Sequence, residues 1–184
     1  MNYQKVFRID KIHFLTTSTY NHKAYFQDDD GKLILLLMLD CYRRQKLIKL
    51  FGFVIMPDHI HLLIGTGDKN QPGDFMRTYK SSTADRMIRY LKVKKKDING
   101  SVIEGESGQI IKTKNRIWQT GYISKDVYTK KFLEQKLDYI HQNPCREPYS
   151  FFNHPDLYPW SSARFYLTEH PGIIPVDDVR KLFL

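Results

Sequence analysis

Two histidines flank one hydrophobic residue at His59-Ile60-His61. On a β-strand, residues i and i+2 project from the same face, so the two imidazoles would stand side by side with Ile60 turned away. Such a pair can share one metal ion, and it needs a third ligand while leaving room for a substrate oxygen. The pattern alone is common, and two polar histidines that only hydrogen-bond are its more frequent meaning. The weighting changes at Tyr139 and Asn143, spaced i and i+4. On a helix these lie about 40° apart on one face, with His141 pointing the other way. A carboxamide oxygen can serve as a ligand and a phenolic oxygen as a nucleophile. Taken singly, Tyr139 reads as a core aromatic and Asn143 as a helix-end residue ahead of Pro144. Beside His59 and His61 they make a candidate site.

The elements that must position these residues follow from periodicity. Residues 12–19 (IHFLTTST) are β-branched and aromatic and predict a strand. Acidic residues 28–30 suit a helix start, and helical spacing runs from Leu33 to Ile48. FGFVIM and HIHLLIG, divided by the turn pair Pro57-Asp58, predict a hairpin. A second helix is expected from about Asp74 to Val93, an exposed loop or hairpin over 97–115, and a fourth strand within 117–124. A third helix is expected over 126–143, stopped by Pro144. This order predicts an α+β fold: a ferredoxin-like antiparallel sheet (βαββαβ) with an added C-terminal catalytic helix and an irregular tail. Six of the eight prolines follow Asn143, so the chain divides into a catalytic domain, 1–143, and a Pro- and aromatic-rich tail, 144–184, with a short helix expected at 176–184.

Charge narrows the partners. The 184 residues carry 29 Lys and Arg against 20 Asp and Glu, a net charge of +9 that suits a polyanion, nucleic acid first. Between Arg77 and Asp97 there are eight basic and two acidic residues, which is two thirds of that excess. Arg77, Lys80, Arg86, Arg89 and Lys92 are candidate phosphate contacts, and a solvated helix face is the alternative. Lys136, one turn before Tyr139, is placed to hold a phosphate or favour a phenolate, although a solvated lysine is the commoner role. Tyr158, Trp160 and Phe165 could stack on single-stranded bases or pack the tail down, the second being favoured for Trp160. Cys41 and Cys145 are far apart in sequence and outside any CxxC, which excludes a disulfide scaffold and a cysteine zinc site. The longest apolar run, Leu33 to Leu39, is too short to span a bilayer. No membrane association and a cytoplasmic location are expected.

The stretches HFLTTSTYNHKAYF, FVIMPDHIHLLI, IWQTGYISK, YIHQNP and YPWSSARFY, in this order, resemble the IS200-like single-tyrosine transposases, and most closely the branch associated with repetitive extragenic palindromes (REP). The resemblance implies an HUH nuclease, U being hydrophobic and filled by Ile60. It implies that His59 and His61 bind Mg²⁺ or Mn²⁺, that Tyr139 is the nucleophile, and that Asn143 completes the metal site, where some relatives have Gln. It further implies cleavage of single-stranded DNA beside a hairpin or palindrome through a covalent 5′-phosphotyrosine, followed by strand transfer, by a monomer or a homodimer. Two alternatives share the fold: an HUH nickase of the replication-initiator type, and a nucleic-acid-binding module without cleavage.

Overall fold

A computed structural model describes residues 11–67, 71–94, 102–104, 110–112 and 116–183. Strand β1 (Ile12–Ser18) leads to helix α1 (Asp29–Arg44), to the hairpin of β2 (Ile48–Ile55) and β3 (His59–Thr66), and to helix α2 (Pro72–Val93). A short pair, β4 (Val102–Glu104) and β5 (Ile110–Lys112), precedes β6 (Ile123–Val127), helix α3 (Lys130–Gln142) and the short helix α4 (Ala163–Thr168). The main sheet is open and has the order β2-β3-β1-β6, every neighbouring pair antiparallel. That is the strand order of the expected βαββαβ arrangement, with β4 and β5 pairing separately in the segment read as a loop or hairpin.

Alternation along the two central strands separates the faces of the sheet. Leu15, Ile60, Leu62 and Ile64 point to one side and are fully buried. Helices α1 and α2 cover that side, packed on each other with the Tyr79 hydroxyl donating to the Leu35 carbonyl at 3.1 Å. Asp28 starts α1 by accepting the Gly31 N–H at 2.8 Å, a cap that contributes about 1 kcal/mol. Asp29 and Asp30 in its first turn and Arg43 and Arg44 in its last complement the helix dipole.

The other face carries Phe14, Thr16, His59, His61 and Leu63, and α3 lies across it against β2 and β3. The β2–β3 register shifts between Leu50 and Gly52, which sets an extra residue into β2. A Cβ at Gly52 would stand 2.8 Å from Leu137 Cδ1, so this glycine is where α3 comes down on the sheet.

Two boundaries differ from the sequence reading. The strand expected within 117–124 runs instead over Ile123–Val127, four of its five residues exposed at the sheet edge. Ile117 and Trp118 are β-like in type but are buried in a loop: Trp118 forms one bridge to Thr19 and donates its Nε1–H to Thr83 Oγ1 at 3.0 Å. Helix α3 begins at Lys130 rather than at Asp126, because Asp126 pairs in β6 and Thr129 is the cap, accepting the Phe132 N–H at 3.2 Å. The terminal helix is a five-residue 3₁₀ turn, Val179–Phe183.

Residues beyond Asn143 run along the outer edge of β2. The Ile55 N–H donates to the Trp160 carbonyl at 2.9 Å and the Ser162 N–H to the Phe53 carbonyl at 3.0 Å, so this stretch pairs with the edge of β2 through one isolated bridge, Val54 to Ser161. The Tyr158 hydroxyl donates to the Ile55 carbonyl, the Tyr166 hydroxyl to the Phe51 carbonyl, and Asp177 accepts the Leu50 N–H. Tyr158 and Trp160 are buried in this packing and are not base-stacking surfaces. Among the described residues no helix is long and apolar enough to cross a membrane.

Candidate active site

The histidine pair stands where strand alternation places it. In the β1–β3 register Thr16 is opposite His61 and Ser18 opposite His59, while Ile60 faces the α1–α2 side and is fully buried. The two imidazole rings are 4.8 Å apart between centroids. His61 is buried against Phe14, which stacks on it at 5.5 Å. Burial, helped by the neighbouring His59 and Lys136, lowers the His61 pKa to about 3. Its ring is therefore neutral at neutral pH, the form in which an imidazole nitrogen is a ligand.

Helix α3 delivers the other two groups. Leu133 and Ile140 are buried, and Leu137 seats at Gly52, which fixes the rotation of the helix. That rotation brings the Tyr139 ring edge-on to His61, centroids 5.0 Å apart, and to Phe14 at 5.9 Å. Tyr139 keeps 37% of its surface exposed, so its hydroxyl remains reachable. One turn on, Asn143 Oδ1 lies 3.2 Å from His59 Nε2. His141 points away as the spacing predicted, buried with Nε2 at 2.9 Å from Ser162 Oγ.

The structure thus brings His59, His61, Tyr139 and Asn143 together. Among the described residues no three His, Cys, Asp or Glu side chains converge as a metal-binding group. The donor set here is of another kind, two imidazoles and a carboxamide oxygen. Those three groups fit a divalent cation that also takes substrate oxygens.

A second layer surrounds the pair. Asp58 Oδ1 lies 2.8 Å from His59 Nδ1 and accepts the Tyr149 hydroxyl at 2.6 Å, while its Oδ2 lies 3.3 Å from His22 Nδ1. Burial opposes the Asp58 charge, but hydrogen bonds from His59 and Tyr149 outweigh it and hold its pKa at about 2. Burial and the Asp58 carboxylate push the Tyr149 phenol up, so it stays protonated. Thr16 Oγ1 meets His61 Nδ1 at 2.8 Å.

The IS200-like transposase family model matches residues 7–143. The chain belongs to the IS200-like transposase family. Its fold is also that of a REP-associated tyrosine transposase solved bound to a REP hairpin: TM-score 0.62, 16% identity, covering 97% of this chain and 93% of the other. A candidate transposase from Deinococcus radiodurans R1 matches less well, with a TM-score of 0.49 and 20% identity over 76% of this chain and 95% of the other. No curated protein matches the sequence.

The candidate phosphate-binding residues of this transposase fall into three settings. Lys136 lies beside the nucleophile candidate, its Nζ 5.0 Å from the Phe14 and Phe132 ring centroids and 5.6 Å from that of Tyr139. Burial and then Lys125 lower its pKa. Lys80 is turned inward, donating to the carbonyls of Gln119 and Gly121. Arg77 is exposed and pairs with Asp74 at 2.8 Å, whereas Arg86, Arg89 and Lys92 are exposed on α2, across the sheet from the histidines. Lys95 and Lys96 lie outside the described residues. The sequence reading missed Asp58, Tyr149, Thr16, His22 and Lys125. By sequence Asp58 reads only as a turn residue, although its place directly before the first histidine is a usable signal. Tyr149 has none, since it comes from the tail.

Proposed function

We propose that this transposase cleaves and transfers single-stranded DNA, with Tyr139 as nucleophile and His59, His61 and Asn143 holding Mg²⁺ or Mn²⁺. The observation that carries the reading is that one helix sets Tyr139 against His61 and Asn143 against His59. A bound divalent cation supplies charge that offsets the phosphate's anionic oxygens and orients them. The Tyr139 oxygen attacks phosphorus, the P–O bond to the 3′ oxygen breaks, and that oxygen leaves as a 3′-hydroxyl. The phenolic proton passes to solvent, and the leaving oxygen takes one up. The product is a 5′-phosphotyrosine that keeps the bond energy, so a second 3′-hydroxyl can displace Tyr139 without ATP. Lys136, its ammonium 5.6 Å from the Tyr139 ring centroid, is placed to hold the phosphate of the strand beside the nucleophile.

Exposed Arg86, Arg89 and Lys92, with Arg77, bind backbone phosphates outside the site. The fold shared with a transposase bound to a REP hairpin supports a hairpin or palindromic substrate. That α3 lies on the sheet of its own chain supports a site completed within one chain, and so the monomer over the homodimer. The test is incubation of labelled hairpin DNA carrying single-stranded flanks with Mn²⁺. Wild type is expected to form a covalent adduct, Tyr139→Phe none, and His59→Ala none while it still binds DNA. An adduct of equal yield in Tyr139→Phe refutes the assignment.

A further inference from the structure

Asp58 Oδ1 is the meeting point of two donors from distant parts of the chain, the Tyr149 hydroxyl at 2.6 Å and His59 Nδ1 at 2.8 Å. The hydroxyl and Nδ1 are themselves 3.5 Å apart, too long to be the main bond for either. The backbone that carries this carboxylate is also held. The Asp58 carbonyl accepts the Thr19 N–H at 2.7 Å, and the Met56 N–H donates to the His59 carbonyl at 2.8 Å, so the turn cannot swing. Tyr149 is held in turn by its N–H to the Arg146 carbonyl at 3.0 Å, and its ring leans on His59 with centroids 5.7 Å apart.

A carboxylate only accepts, so whatever faces it must donate. We propose that Asp58, braced by Tyr149 from the tail, is a positioning residue that fixes His59 as its Nδ1–H tautomer and turns the bare Nε2 lone pair toward Asn143 Oδ1. This rests on the reading of His59 and Asn143 as metal-holding groups. In that tautomer both atoms, 3.2 Å apart, are acceptors that repel each other, and a divalent cation held by the two would offset the repulsion. His61 is arranged differently. Its Nδ1 meets the Thr16 hydroxyl, which can donate or accept and so dictates neither tautomer. The two ligands of the HxH pair are therefore unequal: His59 is set in advance by a charge, and His61 is left adaptable. It follows that a residue beyond Asn143 supports the site.

The experiment is long-range ¹H–¹⁵N correlation of the histidine rings at pH 8 with EDTA, alongside titration with Mn²⁺ alone followed by the EPR signal of the free ion. In wild type, His59 is expected as the Nδ1–H form. In Asp58→Asn the new amide can donate to Nδ1, so the Nε2–H form gains population and Mn²⁺ affinity falls about 10- to 100-fold. Tyr149→Phe, which keeps the ring and the fold, shifts both readouts the same way by less, and His61 signals stay in place in both variants. An Nε2–H form of His59 in wild type overturns the proposal, as does Asp58→Asn with tautomer and Mn²⁺ affinity both unchanged. The expected tautomer and Mn²⁺ response without any DNA adduct would instead overturn the strand-transfer reading and leave this one standing.

Discussion

The two faces of the sheet solve different problems with the same strands. Toward α1 and α2, β3 presents Ile60, Leu62 and Ile64, all fully buried. Toward α3 it presents His59 and His61, and each ring nitrogen given a partner there meets an oxygen from outside β3: Asp58 with Tyr149, Thr16, or Asn143. The apolar face holds the fold by area removed from water. The polar face must satisfy each group singly while keeping Tyr139 open. A polar site of this kind is therefore positioned by the apolar face behind it, and the two faces should respond differently to substitution.

The largest separation is expected at Tyr139→Phe. It should abolish the covalent adduct while leaving the urea midpoint nearly unchanged, because Tyr139 is 37% exposed and the phenyl ring still meets His61 and Phe14. Leu62→Ala on the opposite face should do the reverse, costing about 2–5 kcal/mol in urea unfolding while the folded fraction remains active. Gly52→Ala joins the two effects. Its Cβ meets Leu137, so α3 must shift, with a stability loss of about 1–3 kcal/mol and a disproportionate loss of cleavage by the protein that stays folded.

Acid should separate the faces as well. Burial lowers His61 to about 3 and His141 to about 4, so both stay neutral in the fold while the unfolded chain protonates below about 6.5. The unfolded state then binds more protons, and stability falls as pH drops from about 6.5 toward those values. At pH 5 in EDTA the loss is about 2 kcal/mol per histidine. Urea melts at pH 7 and 5 measure it, and His141→Gln should remove about half. The smallest effect belongs to the far side of the sheet. Arg86→Ala and Arg89→Ala should each lower the salt slope of DNA binding by about 1, without changing the cleavage rate of bound substrate.

What was legible in the sequence follows the same division. Residues whose placement is set by local periodicity were readable: His59 and His61 by alternation, Tyr139, His141 and Asn143 by helical spacing. The strand order followed from element types. Asp58 and Tyr149 were not readable as partners, because 91 residues separate them and only the return of the tail brings them together. Strand β6 was misplaced because an exposed edge strand, Ile123–Val127, lacks the apolar alternation that marks a buried one. The apolar pair Ile117-Trp118 carries that signal and uses it to bury a loop. Lys80 shows the limit of charge counting, since its place in a basic run does not reveal that its ammonium is held by two backbone carbonyls.

The central claim is that α3 makes one particular phenol the nucleophile. Mass-spectrometric mapping of the adduct formed with hairpin DNA and Mn²⁺ tests it most directly. The account predicts a nucleotide linked to the peptide containing Tyr139 and to no other. Linkage to Tyr122, Tyr128 or Tyr149, or no linkage at all in protein that binds the DNA, would contradict it.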